Sequence, residues 1–335
     1  MTRYVFVGAG AIGSALGGLL AQHGRSVLLV ARGAHAAAMA TGGLTLRCPD
    51  GTSALRVPVA TGPEGVRLTV DDVLVLTTKT HQAEAAVEQW ADVPVHDHAG
   101  AVAGSAAELL PIFTALNGVA GEEIALRAFE RVFGVCVWFP TVLTEPGEVI
   151  VRTRSPRGVF HIGRYGAGDD DLGALPADWT AAGFGVVPVA EVMRWKYRKL
   201  LSNLSNALQA LLGDTTGADD LRRAAEDEGK AVLASAGIGY ADDDEVEAGW
   251  GGLSFEPVPG EPAQLGGSSW QSLVRGTGTI ETGYLNGEIA LLGRRVGQPA
   301  PVNAKLTALA RHAARAGLRP GSLDVEELRR LLGLG

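Results

Sequence analysis

The stretch VFVGAGAIGSALG, Val5–Gly17, constrains the fold more than any other part of the chain. It sets Gly8, Gly10 and Gly13 in G-x-G-x-x-G spacing, after an apolar run that reads as a strand and before a pattern that reads as a helix. In that context each glycine has a physical duty. Gly8 permits a tight turn, Gly10 lets the backbone approach a pyrophosphate, and Gly13 lets helix and strand pack closely. The helix N-terminus then offers free N–H groups and the positive end of its dipole to the anion. Gly8, Gly10, Ala11, Ile12 and Gly13 are therefore the expected dinucleotide-binding turn.

The first half of the chain alternates between strand and helix. SVLLVAR (Ser26–Arg32) and DDVLVLTTK (Asp71–Lys79) read as strands; AIGSALGGLLAQHG (Ala11–Gly24) and AEAAVEQWA (Ala83–Ala91) read as helices. Such alternation calls for a parallel sheet covered on both faces. Between residues 119 and 165 strand-like runs take over, VFGVCVWFP and EVIVRTR. From about 188 onward helices fit 191–212, 218–237, 269–296 and 302–317. A last helix is started by Asp324 and Glu327 in capping-box-like spacing. The segment 252–267 reads as a long exposed loop. With 335 residues two domains are expected. They are an α/β domain over 1–188 and an all-α domain over 189–335.

The net charge of -8 argues against nucleic acid and anionic membranes as partners. No apolar run reaches the roughly 20 residues of a membrane helix. The start of the chain reads as a strand without a cleavable signal, so the cytoplasm is the expected compartment. Cys48 and Cys136 are too few for a disulfide framework or a thiolate metal site. No metal is expected, because His96 and His98 have no third ligand at a suitable spacing. Cys136, Trp138 and Trp195 read as packing residues.

The end of the second strand bears on the cofactor. NAD sites carry an acid there for the ribose 2′-hydroxyl. This chain has Arg32 and no acid, and a guanidinium pairs with a 2′-phosphate. NADP(H) is the expected cofactor. Lys79 follows the third clear strand, at the sheet edge where open α/β folds bind ligands. LNG places Asn117 at a similar edge.

WKYRKLLSNLSNAL, Trp195–Leu208, reads as a helix with leucines on one side. At about 100° per residue, Lys199, Asn203 and Asn206 fall within a stripe roughly 60° wide. Asparagine is a mediocre helix former, so the stripe reads as more than a solvated face. A charged lysine facing a cleft can give a proton to a carbonyl oxygen. SSWQSLVRGTGTIETGYLNG adds Ser269 and Glu281.

GAGAIG, TKTHQ, LNG, WKYRKLLSNLSNAL, SSWQSL, IETGYLNGEIALLG and QPAPVN together span nearly the whole chain. In this order and spacing the sequence resembles the ketopantoate reductase (2-dehydropantoate 2-reductase) family. The resemblance implies a Rossmann-type domain followed by a helical one, an active site in the cleft between them, and NADPH-dependent reduction of a 2-keto acid. It implies Lys199 as general acid and Glu281 as its catalytic companion. Asn203, Asn206, Ser269 and Asn117 would bind substrate, with Lys79 and Asn117 approaching cofactor and substrate from the Rossmann side. Lys196 would lie on the helix surface. The chain departs from the family pattern at Ala207, where a second asparagine is usual, and at Gly283, where an acid is common. The stretch 93–108 is an unusual loop.

Three readings stay open: reduction of ketopantoate, reduction of another 2-keto acid, and an NADP-binding sensor that has lost turnover. Lys199 and Glu281 together speak against the sensor. The expected partners are a small 2-keto acid and, as an open option, a second copy of the chain in a homodimer.

Overall fold

A computed structural model describes residues 1–249, 252–262 and 265–335. It divides into two compact units. The first comprises Met1–Leu116, Ala120–Trp195 and Asp242–Glu261; the second comprises Asn117–Val119, Lys196–Ala241 and Pro262–Gly335. The boundary expected at 188 falls instead at Trp195, and 242–261 return to the first unit. Ion pairs across long sequence distances hold that return. Arg194 binds Glu245 with both nitrogens at 3.0 and 2.8 Å, and Arg154 binds Glu256 at 2.6 Å. Sequence periodicity carries no trace of such pairings.

The first unit begins with β1 (Arg3–Val7), α1 (Ala11–Gln22), β2 (Ser26–Val30) and α2 (Gly33–Gly42). The hairpin β3 (Leu44–Cys48) and β4 (Gly51–Leu55) leads through the short β5 (Val59–Ala60) and β6 (Leu68–Thr69) to β7 (Asp72–Leu76). Then come α3 (Ala83–Ala91), β8 (Pro94–His96), β9 (Val102–Ser105), α4 (Ala106–Leu109), β10 (Ile112–Thr114) and α5 (Gly121–Leu126). The strands end with β11 (Val132–Trp138), β12 (Thr141–Glu145), β13 (Glu148–Val151), β14 (Val159–Tyr165) and, after α6 (Leu175–Ala181), β15 (Gly185–Pro188).

The main sheet runs β15-β14-β11-β10-β7-β1-β2-β5, parallel except for β11 against β14. Side chains of β1 alternate between two cores. Tyr4 and Phe6 join Leu16, Leu19 and Leu20 of α1; Val5 and Val7 join Val87 and Trp90 of α3. A period of two with both faces apolar is what a sheet covered by helices on both sides requires. The stretch 93–108 is not a loop. It folds as the β8–β9 hairpin and α4, because Val95 is fully buried and Gly100 supplies a φ of +88° for the turn. Cys48 and Cys136 are buried, and the Cys136 thiol donates to the Trp195 carbonyl at 3.3 Å. Trp138 is buried, and Trp195 stacks on His161 with ring centroids 3.6 Å apart.

Helix α7 (Val192–Asn203) leads into the second unit, followed by α8 (Ser205–Leu212) and α9 (Asp219–Ser235). In the first unit's return lies α10 (Asp243–Gly249), with its acidic first turn. The second unit continues with α11 (Ser268–Arg275), a 3₁₀ turn Glu281–Tyr284, α12 (Asn286–Val296), α13 (Pro301–Arg315) and α14 (Val325–Leu332). The helix expected over 191–212 breaks after Asn203. The Leu204 amide bonds back to Leu201 at 3.2 Å, and the Asn286 amide takes the Leu204 carbonyl at 3.0 Å. The helix expected over 269–296 stops at Gly276, whose φ of +63° is a left-handed C-cap. Asp324 caps α14 by accepting the Glu327 amide at 2.7 Å. Of the loop 252–267, residues 263 and 264 lie outside the described residues; Phe255 is exposed and Val258 is buried. No helix among the described residues is long and apolar enough to cross a membrane.

Candidate cofactor loop and active site

The chain leaves β1 at Gly8 with φ +104°. A Cβ there would lie 2.7 Å from the Thr78 backbone nitrogen, so the turn admits glycine alone. A Cβ on Gly13 would lie 2.5 Å from Thr77 Oγ1 and 2.7 Å from the Gly8 carbonyl oxygen. A Cβ on Gly10 would meet nothing within 4 Å. Two glycines are thus needed for packing, and the third borders open space. Gly10 is also the N-cap of α1, which has no side-chain cap and no acid in its first turn. The amides of Ala11, Ile12 and Gly13 have no partner within their own helix. This cradle fits a dinucleotide pyrophosphate.

The loop is pinned on both sides. Gly8 and Ala9 donate to the Val30 carbonyl at 3.1 and 2.7 Å, and Thr77 Oγ1 donates to the Gly8 carbonyl at 2.8 Å. Because β2 and β7 flank β1, their carboxyl ends lie on either side of the loop. Arg32 follows β2 as the exposed, extended N-cap of α2, and its Nη2 donates to Gln89 Oε1 at 2.8 Å. Lys79 follows β7 half-buried, as the N-cap of a 3₁₀ turn over Thr80–Gln82. His35 was not picked out by sequence reasoning. Its ring bonds Ser14 of α1, and the only signal was a histidine three residues after Arg32.

Gly10→Ala should leave the melting temperature near the wild-type value and weaken NADP binding. Gly13→Ala should lower both, since overpacking costs about 1–3 kcal/mol. Differential scanning fluorimetry with calorimetric titration of NADP separates the two. Equal losses of stability would remove the special role given to Gly10.

The second unit gathers the other expected residues. Lys199 is half-buried on α7 and Asn203 is buried one turn later. Asn203 Nδ2 donates to Asn117 Oδ1 at 3.3 Å. Next to Asn117, Gly118 sits so close to the Tyr284 carbonyl that a Cβ would approach it to 2.6 Å. That carbonyl belongs to the turn opened by the buried Glu281. Asn206, on α8, faces the N-cap of α11: a Cβ on Gly267 would lie 3.1 Å from Asn206 Oδ1. Gln209 Oε1 accepts the Gly267 amide at 2.7 Å and so fixes the start of α11. That helix carries Ser269, whose buried hydroxyl has no hydrogen-bond partner among the described residues. An amide pair, a hydroxyl, a carboxylate and a lysine thus sit on contacting segments of one unit.

Two corrections arise here. Lys196 is not a surface residue; it is 2% exposed. It lies four residues before Leu200 and eight before Leu204, in the row that α7 buries. Asn206 does not continue the Lys199–Asn203 line on one helix, because the break at Leu204 separates them. Sequence reasoning also passed over Arg275, at the end of α11. Desolvation by the surrounding protein pulls its guanidinium below the ordinary value, and the Glu281 carboxylate opposes that shift.

Two family descriptions match this chain: ketopantoate reductase PanE/ApbA over residues 4–166, and the C-terminal domain of the same family over 191–314. The chain belongs to the ketopantoate reductase family. A 2-dehydropantoate 2-reductase of Pyrococcus horikoshii is 28% identical over 332 residues, covering 96% of this chain and 99% of the relative. A PanE/ApbA family ketopantoate reductase from Ralstonia eutropha has a TM-score of 0.73 at 24% identity, covering 94% and 99% of the two chains. D-Mandelate dehydrogenase, solved with NADH and anilino(oxo)acetate, has a TM-score of 0.75 at 22% identity over 94% and 99%. The α/β unit followed by helices is therefore the fold of a ketopantoate reductase family member, and the chain is an oxidoreductase of that family. Ala207 is fully buried.

Proposed function

We propose that this chain reduces 2-dehydropantoate to pantoate with NADPH. The observation that carries this is the Asn203–Asn117 hydrogen bond, with Lys199 one turn before Asn203 and the Glu281 turn seated on Gly118. The Gly8–Gly13 loop would hold the dinucleotide, which when bound would supply hydride for the keto carbon. Lys199 Nζ gives its proton to the keto oxygen, which becomes the new hydroxyl, and recovers a proton from solvent. The amides of Asn117 and Asn203 orient the substrate, and the Ser269 hydroxyl donates to its carboxylate. The Glu281 carboxylate accepts from the substrate's terminal hydroxyl. Arg32 selects the 2′-phosphate, and Lys79 approaches the cofactor from the loop's other flank.

A second reading is a 2-keto acid other than ketopantoate. It is favoured by Ala207 standing where the family carries a second asparagine, and by the mandelate dehydrogenase likeness. One assay tests both readings: oxidation of NADPH and of NADH against a panel of 2-keto acids. Ketopantoate is expected to be the fastest, with NADPH preferred at least tenfold in kcat/KM, about 1.4 kcal/mol. Arg32→Asp should weaken NADPH far more than NADH. Equal use of both cofactors would refute the role of Arg32, and a faster acid would replace ketopantoate.

A further inference from the structure

We infer that His35 positions the cofactor loop and makes dinucleotide binding depend on its protonation state. The inference rests on the reading that the loop holds a dinucleotide. His35 is half-buried in the first turn of α2. Its Nδ1 accepts the backbone amide of Gly147, in the β12–β13 turn, at 2.9 Å. An accepting Nδ1 puts the single ring proton on Nε2. Nε2 then donates to Ser14 Oγ at 3.0 Å, and Ser14 donates to the Ala9 carbonyl at 3.0 Å. Ala9 lies between Gly8 and Gly10. Three hydrogen bonds of one polarity thus run from a hairpin turn to the centre of the loop.

The chain of bonds works only with a neutral ring. A proton on Nδ1 would turn it into a donor facing the Gly147 donor. The ring would have to move, and the fully buried Ser14 would lose the Nε2 donor that orients its hydroxyl toward Ala9. Apart from the Ala9 carbonyl, which favours the charged ring, the surroundings offer the cation little. Helix α1 carries no charged residue from Ala11 to Gln22, and β5 carries none. On its own helix, Arg32 is turned to Gln89. In the hairpin, Glu145 and Glu148 flank the turn, and Glu148 is bound to Arg47 at 2.9 Å and to Thr144 at 3.0 Å. Arg56 donates to the Thr41 carbonyl at the far end of α2. Among the described residues none forms an ion pair with His35. Burial accordingly holds the imidazole below its ordinary value.

The sign follows. The neutral ring supports the loop, so affinity is full above the imidazole's pKa and falls as pH drops through it. The test measures the dissociation constants of NADP and of NAD by calorimetry from pH 5 to 8. It compares wild type, His35→Gln and Ser14→Ala. Glutamine keeps an acceptor and a donor without titrating in this range. Ser14→Ala keeps the histidine but cuts its link to Ala9. The 2′-phosphate of NADP titrates near pH 6 in all three proteins alike, about as free phosphomonoesters do; NAD lacks it. Wild type is expected to lose affinity for NAD on the acid side, by up to about tenfold per pH unit for one proton. Both variants should give flat profiles. A wild-type profile parallel to that of His35→Gln overturns the inference, and so does a slope that survives in Ser14→Ala. Binding of neither dinucleotide at any pH overturns the reading of the loop itself, and the inference with it.

Discussion

Lys199→Ala is expected to cut kcat by about 10²–10⁴-fold, the usual worth of a positioned proton donor. The variant should stay folded and bind NADP with unchanged affinity, because the glycine loop proposed to hold the cofactor belongs to the other unit. The reasoning is geometric. Lys199 stands one turn before Asn203, whose amide is already engaged with Asn117. A substrate oriented by these amides would present its keto oxygen to the next position along the helix. Lys196 serves as a contrast of a kind the sequence did not suggest. It is buried in the row of Leu200 and Leu204, so Lys196→Ala should lower the melting temperature rather than kcat selectively. Single-turnover kinetics beside thermal melts distinguishes the two. A Lys199→Ala enzyme retaining more than about a tenth of wild-type kcat would remove Lys199 from the proton-donating role.

The second large effect concerns substrate choice. Ketopantoate carries a carboxylate, a keto group and a terminal hydroxyl; 2-ketoisovalerate lacks the hydroxyl. A carboxylate such as Glu281 can only accept a hydrogen bond. Glu281 is 5% exposed, and a terminal hydroxyl placed beside it would add a hydrogen bond that 2-ketoisovalerate cannot make. A site built to bond a hydroxyl rejects the analogue lacking it by as much as about 10⁴–10⁵. Ketopantoate should therefore exceed 2-ketoisovalerate in kcat/KM by a large factor, and Glu281→Ala should erase most of the difference. Comparable values for the two acids in wild type would show that Glu281 does not read a hydroxyl. The second substrate reading would then take precedence.

How legible all this is in the sequence depends on the range of the interactions involved. The glycine loop is local: strand, turn and helix are consecutive, and the spacing of Gly8, Gly10 and Gly13 already states which position needs packing and which needs room. The alternation of the first half is likewise a local signal, and it yields the parallel sheet. The polar line on α7 pointed to Lys199 and Asn203. Lys196, expected on the helix surface, is buried instead, because helical register sets it in the row of Leu200 and Leu204. The break at Leu204 escaped because its carbonyl is taken by Asn286, 82 residues away. The return of 242–261 escaped for a similar reason, since it depends on arginines far upstream. The hairpin at 93–108 was hidden by its short strands and small residues. His35 was hidden because it and its partners, Ser14 and Gly147, come from three separate stretches of chain.

The contacts of Gly8 and Gly13 also have a consequence for the order in which the molecule matures. Both glycines are shaped against Thr77 and Thr78, which follow a strand some seventy residues downstream. During synthesis the amino-terminal residues emerge first, yet β2 can hold only one side of their turn, through the Val30 carbonyl, until β7 has been made and has paired beside β1. Parallel pairing of this kind closes a long loop and is slow to form. The oldest part of the nascent chain is thus among the last to acquire its working shape, and the ability to grip a dinucleotide arises only when the sheet's centre is complete.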